Sequence, residues 1–225
     1  MRISVVIPAL NEAENILSCL DSVKNQDCAF EVIVVDGGSR DGTVDLARAQ
    51  ARVIRSEKGR AVQMNSGAHL CTGEVLLFLH ADSQLPPDAL VHVERVLANP
   101  RIVGGTFTLR FDSRKILLWF ITFFTRFKFR YFHYGDQGIF VRRSVFEQLK
   151  GFEEIPLMED VDFLRRLSKT GQLALLRQSV TTSARRFLEH GILRQQLLNT
   201  ILVISYILGA KPEILKNWYE RSWKH

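Results

Sequence analysis

The chain has 225 residues, enough for one domain of ordinary size with a full hydrophobic core. Apolar residues make up 46% and charged residues 24%, a globular balance that excludes disorder as the starting assumption. The formal charge of +6 favours polyanionic partners such as nucleotide diphosphates, anionic lipid surfaces or nucleic acid, without choosing among them.

Residues 3–7 (ISVVI) are a compact β-branched run closed by Pro8, as expected of a buried parallel strand. The run is too brief for a secretory leader, so the start reads as the first strand of a cytoplasmic protein. Asn11 is placed to cap a helix carrying Ile16, Leu17, Leu20 and Val23 on one side. Residues 31–35 form a second strand, and the turn GGSRDG leads into a helix from Thr43. Residues 52–55 give a short third strand, and residues 59–71 have helical spacing through Ala61, Met64 and Ala68. The fourth strand, residues 75–79, is the most apolar and ends at His80-Ala81-Asp82; Pro86-Pro87 opens the next helix. This β–α alternation argues an α/β, doubly wound sheet, in which ligands bind at the carboxyl ends of the strands.

The pattern then changes. Residues 104–111 alternate like a half-exposed strand, residues 114–132 are aromatic and basic, and residues 138–141 form a short strand. A helix over 160–169, one long amphipathic helix over 185–208 and a short helix after Pro212 complete the chain. The longest apolar stretches, around 116–124 and 197–210, fall short of the ~20 residues that span a bilayer. Cys19, Cys28 and Cys71 have no metal-ligand spacing and read as small buried side chains in a reducing compartment.

Three polar clusters follow strand ends: Pro8-Ala9-Leu10-Asn11-Glu12, the run DGGSRDGT from Asp36 to Thr43, and His80-Ala81-Asp82-Ser83. A carboxylate placed there can accept from a base or ribose, or hold a metal, and glycines after Asp36 let a backbone approach a ligand closely. Taken singly, the second cluster is equally a turn with a helix cap at Asp41 or Thr43.

The runs VVIPALNEAENI, VIVVDGGSRDGT and GEVLLFLHADS, followed by GDQGIFVRRSVFEQLKGF and MEDVDFLRRL, resemble the family-2 glycosyltransferases. The resemblance extends to about Leu167, and the runs LHADS and SARRF are similar to those of a short soluble subgroup. It implies a GT-A fold with a mixed sheet and a C-terminal helical elaboration, in a single domain over residues 1–225. Residues 1–100 would bind the nucleotide-sugar, residues 101–184 would form the acceptor side, and residues 185–225 would add helices.

By the same resemblance, Pro8, Ala9 and Glu12 cradle the nucleotide, Asp36 accepts from the base, and Gly38 lies in its loop. Arg60 falls near the diphosphate, although as a residue it reads equally as a solvated charge. Asp82 matches the last acid of Asp-x-Asp, which holds Mg2+ or Mn2+ against the departing diphosphate. His80 stands where that motif has its first acid, and a non-ligand role is expected of it. Asp136 and Gln137 would face the acceptor or the donor sugar. Glu159 and Asp160 match the family's acid pair, with Asp160 the general base of an inverting transfer. As residues alone, these acids also suit the first turn of a helix.

The implied partners are a UDP- or GDP-linked donor and a hydroxyl acceptor, lipid or small molecule. The stretch from Trp119 to Arg130 is either a core helix with snorkelling basic ends or an interfacial segment meeting a lipid acceptor at the inner membrane face. Two other readings stand beside this one. A nucleotidyltransferase would want a basic, glycine-rich loop where this chain has the acidic Asn11-Glu12-Ala13-Glu14. A catalytically degenerate scaffold is favoured only by His80, and no nucleic-acid-binding motif is present.

Overall fold

A computed structural model of the protein describes residues 1–28, 30–124 and 135–222. The first half alternates strictly: β1 (Ile3–Ala9), α1 (Ile16–Lys24), β2 (Phe30–Asp36), α2 (Thr43–Arg48), β3 (Arg52–Arg55), α3 (Arg60–Leu70) and β4 (Val75–Phe78). There follow β5 (Ser83–Gln84), α4 (Ala89–Leu97), β6 (Ile102–Phe111) and α5 (Ile116–Phe124). A 3₁₀ turn at Gly135–Gln137 leads to β7 (Ile139–Arg142), α6 (Arg143–Gln148), α7 (Glu159–Leu167) and β8 (Gln172–Thr182). Three helices close the described chain: α8 (Arg185–His190), α9 (Ile192–Ile207) and α10 (Pro212–Arg221).

The strands form one mixed sheet in the order β3-β2-β1-β4-β7-β6-β8-β5. The first four run parallel, β7 is antiparallel to both β4 and β6, and β8 runs parallel to β6. Helices cover both faces, so the doubly wound expectation holds. On one face α1, α2 and α4 bury Ile16, Leu20, Ala47 and Leu90 against Val5, Ile7 and Leu77. On the other, α3, α6 and α7 bury Met64, Phe146 and Phe163 against Val6, Leu76 and Phe78. Helix α3 lies unusually close to the sheet: a Cβ on Gly67 would stand 2.4 Å from Val6 Cγ1 and 2.9 Å from Val35 Cγ2. The C-terminal helices pack on α7, where Leu202, Val203 and Leu215 meet Met158 and Val161.

Several expectations change. The sequence reading does not predict α6 or β8. Strand β6 is buried on both sides rather than half-exposed, because β7 and β8 flank it inside the sheet and helices cover it. Asn11 does not cap α1; it adopts φ +54, and the helix begins after Asn15. The single helix over 185–208 is two helices, broken at Gly191 with φ +85. The basic end of the aromatic stretch lies outside the described residues; its described part is α5, which buries Leu118 and leaves Ile116, Trp119 and Phe120 exposed, unlike a core helix. No described helix is long and apolar enough to cross a membrane.

Candidate active site

The register of the parallel strands decides which loops meet. Ala9 pairs with Asp36 at the last step of the β1–β2 ladder, so the loops after both strands begin side by side. Gly37 N donates to Ala9 O at 3.0 Å, and the buried Gln63 of α3 donates Nε2 to both Ala9 O and Val35 O, at 2.9 and 2.8 Å. Asn11 then clasps the second loop: its N donates to Ser39 Oγ at 2.9 Å, and its Oδ1 accepts from Arg40 N at 2.8 Å. Glu12 N donates to Thr43 Oγ1 and Ala13 N to Asp41 Oδ2, at 2.8 and 3.1 Å. Asp41 and Thr43, readable as cap residues, thus also tie the two loops together.

Asp36 is fully buried. Its carboxylate accepts from Gly38 N at 3.1 Å and Ser39 N at 3.0 Å, with Arg55 Nε 3.9 Å away. Gly38 makes this wrap with φ +96, a conformation costly for any residue with a side chain. A base reaching Asp36 must displace or join these amides. Pro8 and Ala9 are buried beneath them, whereas the Glu12 carboxylate is engaged from a distance. It accepts from Asn15 Nδ2 at 2.7 Å and from Arg185 at 3.3 Å; Arg185 also lies 3.8 Å from Glu14.

Strand β7 is antiparallel to β4, with Ile139 opposite Phe78, so the turn before β7 arrives where β4 ends. There His80 Nδ1 lies 3.0 Å from Asp136 Oδ1. Burial opposes the imidazolium, but the hydrogen bond and charge of Asp136 prevail and raise the His80 pKa. Asp136, half exposed, shows the mirror image: desolvation by the surrounding cleft would raise its pKa, while His80, Arg60 and Arg186 hold it well below the usual carboxylate range. His80 is therefore occupied by a protein carboxylate. Gln137 is fully buried beside it and presents no surface to a ligand in this arrangement. Asp82 is half-buried, accepts from Ser83 Oγ at 3.2 Å, and lines a cavity of about 40 Å³ with Asn15, Ser18 and Asp112.

The opposite wall is the first turn of α7, entered through Met158 at φ +72. Glu159 and Asp160 are both buried, and Glu159 Oε1 lies 2.6 Å from Arg60 Nε. Arg60 is thus an ion-pair partner and not a free surface charge. Burial is the largest influence on Glu159 and raises its pKa, with Asp160 adding repulsion and Arg60 opposing both. The same pair holds the Arg60 guanidinium firmly charged. Asp162 is committed to structure, bound by Arg165 at 3.1 Å, Arg166 at 2.6 Å and Tyr206 at 3.3 Å. The cleft also recruits Gln63, Arg185 and Arg186, which the sequence reading does not assign; the paired arginines of SARRF are the one signal for the last two.

Among the described residues, no three His, Cys, Asp or Glu side chains gather as a metal cage. One hard carboxylate at the cleft suits a small divalent ion that arrives with a diphosphate, since Mg2+ is commonly held by one or two carboxylates plus substrate phosphates and water. Asp82 fits that role.

Residues 4–149, more than half of the chain, match the model of Glycosyl transferase family 2. The chain belongs to this family. A "PGL/p-HBAD biosynthesis glycosyltransferase Rv2957" of Mycobacterium tuberculosis is 42% identical over 91 residues, covering 36% of this chain and 36% of the relative. An "Undecaprenyl-phosphate 4-deoxy-4-formamido-L-arabinose transferase" of Pseudomonas syringae is 30% identical over 117 residues, covering 46% and 35%. The chain spans about a third of the length of these relatives. Among solved structures, "Mannosyltransferase PcManGT from Pyrobaculum calidifontis in complex with GDP-Man and Mn2+" has a TM-score of 0.69 at 19% identity, covering 94% of this family-2 chain and 66% of its own. That likeness carries the GT-A fold.

Proposed function

We propose that the chain is an inverting transferase that moves a sugar from a UDP- or GDP-linked donor to a hydroxyl on a lipid or small-molecule acceptor. The observation that supports this reading is the pair of contacts that ties α3 to α7 and the end of β4 to the turn before β7, Arg60–Glu159 at 2.6 Å and His80–Asp136 at 3.0 Å. Pro8, Ala9, Glu12, Asp36 and Gly38 would hold the nucleoside, with Asp36 accepting from the base once its loop yields an amide. Arg60 would lie against the diphosphate. Asp82 would hold Mg2+ or Mn2+, which when bound neutralises charge on the departing diphosphate. Asp136 and Gln137 would shape the sugar side, Gln137 from beneath the turn.

Asp160 would take the proton of the acceptor hydroxyl as its oxygen bonds to the anomeric carbon. The bond from that carbon to the diphosphate oxygen breaks on the opposite side, and the electron pair leaves with the nucleoside diphosphate. Glu159, already paired with Arg60, keeps that cation in place beside the base. The bound ligands in the Pyrobaculum structure's name support a nucleotide-sugar donor and a divalent metal. The lipid phosphate in the Pseudomonas relative's name supports a lipid-borne acceptor, with the chain working in the cytoplasm at the inner membrane face.

Thermal shift with UDP, GDP, CDP and ADP, each with and without Mn2+, tests the reading. Stabilisation by one or two bases, enhanced by the metal, is expected. Indifference to all four nucleotides in both conditions would overturn it.

A further inference from the structure

Away from the cleft, α5, α8 and α9 build a face that breaks the usual rule for a helix packed on a domain. In α9, Leu193, Leu197, Ile201, Ile204 and Leu208 just beyond its end recur three and four residues apart, so they form one stripe, and all are exposed. The other side of α9 is already used, with Leu198, Leu202 and Tyr206 packed toward α7 and α10. Helix α5 repeats the arrangement: Leu118 and Ile121 pack with Phe187 and Ile192, while Ile116, Trp119, Phe120 and Phe123 face outward. Both helices are thus apolar on two sides, and among the described residues the buried apolar clusters take up one side of each. They join through a groove of about 410 Å³ lined by Lys115, Leu117, Phe187, Leu188, Leu193 and Arg194. Contiguous exposed apolar surface of this extent marks an interaction site.

Charge identifies the occupant. Helices α5 and α9 contain no Asp or Glu, with Lys115 directly before α5 and Arg194 inside α9. At the chain's average of 24 acids in 225 residues, these two helices together would carry about three. The helices of the face contribute a single acid, Glu189 of α8, while the cations Lys115 and Arg194 line the groove. A second copy meeting this face about a two-fold axis would bring like charges toward one another. An anionic bilayer suits both features, taking apolar and aromatic side chains among its acyl chains and cations at its headgroups.

We propose that the α5–α8–α9 face docks on an anionic membrane surface. Helix α8 gives this docking its consequence for the cleft. Its first residue, Arg185, holds Glu12 of the nucleotide loop at 3.3 Å, while Phe187 and Leu188 line the groove. Donor loop and membrane plane are therefore fixed by one short helix, and a lipid-borne hydroxyl would reach the cleft from the bilayer. That route for the acceptor rests on the proposed transferase activity; the docking does not.

Sedimentation of the full chain with vesicles tests it, comparing phosphatidylglycerol mixed into phosphatidylcholine with phosphatidylcholine alone, at low and high salt and without nucleotide. Binding to the anionic vesicles is expected, weakened by salt. The triple variant Ile116→Ser, Leu193→Ser, Leu197→Ser should lower the bound fraction by roughly tenfold or more, these being exposed apolar contacts with lipid. Lys115→Gln with Arg194→Gln should weaken binding to anionic vesicles at an unchanged melting temperature, which guards against a folding artefact in the triple variant. Nucleotide-induced thermal shifts should be the same in all variants, so a failed docking and a failed transferase reading give different results. No enrichment on anionic vesicles, or undiminished binding by the triple variant, would overturn the proposal. So would a dimer in light scattering that the triple variant dissolves, which would assign the face to a second copy.

Discussion

Strand β2 carries a carboxylate near each end, Glu31 and Asp36, and the two are held in different ways. Glu31, at the amino edge of the sheet, accepts from Ser4 Oγ, from Thr72 N, from Thr72 Oγ1 at 2.9 Å and from Gly73 N at 3.0 Å. Burial would raise its pKa, but these donors lower it to about 2. Asp36, at the carboxyl edge, is wrapped only by two amides of a glycine-containing loop, with an arginine at the margin. Across the cleft, Glu159 depends on the long side chain of Arg60. Donors from short, neighbouring side chains and strand-end amides close a carboxylate permanently. Loop amides and long cations can be exchanged for groups on a ligand, and they are what the carboxyl edge uses. The polarity of the parallel strands thus separates structural acids from available ones.

The sharpest attempt to break this contrast is Asp160→Asn. Turnover should fall by ~10²–10⁴-fold with donor Kd unchanged, the usual worth of a general base. Glu159→Gln should be milder. If Asp160→Asn only lowers the melting temperature and leaves turnover per folded molecule intact, the acid belongs to the helix and not to the chemistry. Next, Asp82→Ala should weaken metal-assisted nucleotide diphosphate binding by roughly 2–3 kcal/mol, read by calorimetry with and without Mn2+; undiminished metal-dependent affinity would remove Asp82 from the metal. Asp36→Ala should cost roughly 1–3 kcal/mol of nucleotide binding, unequally across bases. Equal loss for UDP and GDP would make Asp36 a loop clasp of the same kind as Glu31.

The smallest effect tests the amino edge. A carboxylate whose pKa is lowered from 4.5 to about 2 adds stability that is present above pH 4.5 and lost as pH falls through 2. Glu31→Gln should therefore lower stability by roughly 1–2 kcal/mol at neutral pH. The gap to wild type should close in acid, with nucleotide binding untouched. Denaturant titrations at several pH values measure it, and a gap independent of pH would contradict the hydrogen-bond account.

The first half of the fold was legible because parallel strands covered on both faces read as unbroken apolar runs, and each ends in a polar loop at one edge. Strand β8 was hidden because LALLRQSVTT mixes polar and apolar residues without clean alternation, and its register against β6 shifts between Phe107 and Thr108. Helix α6 has six residues, too few for a period to register. Glu12, Asp36 and Asp82 could be picked out from their positions after strands, and Asp136, Glu159 and Asp160 only through the family resemblance, but their partners could not. Arg185 reaches Glu12 across 173 positions, and no local pattern encodes the pairing of His80 with Asp136. The sequence of α5, apolar nearly all round, left core and interface readings equally open until packing fixed which side of the helix was covered.

The close seat of α3 at Gly67 makes that helix a lever. Its fulcrum is the missing methyl above Val6 and Val35, and its tip, seven residues earlier, is Arg60 at the cleft. Since a helix rises about 1.5 Å per residue, the arm is on the order of 10 Å, long enough for a small tilt to be felt at the tip. Gly67→Ala would leave every charge in place and still lift the rod, drawing Arg60 away from Glu159. The expected sign is a further rise in the Glu159 pKa, visible as an alkaline displacement of the acidic limb of its NMR titration. An unmoved titration would mean that the tip adjusts independently of its seat. A moved one would mean that the protonation of a buried acid pair is governed by an uncharged contact deep in the sheet, a place where a change in hydrocarbon volume is read out as chemistry.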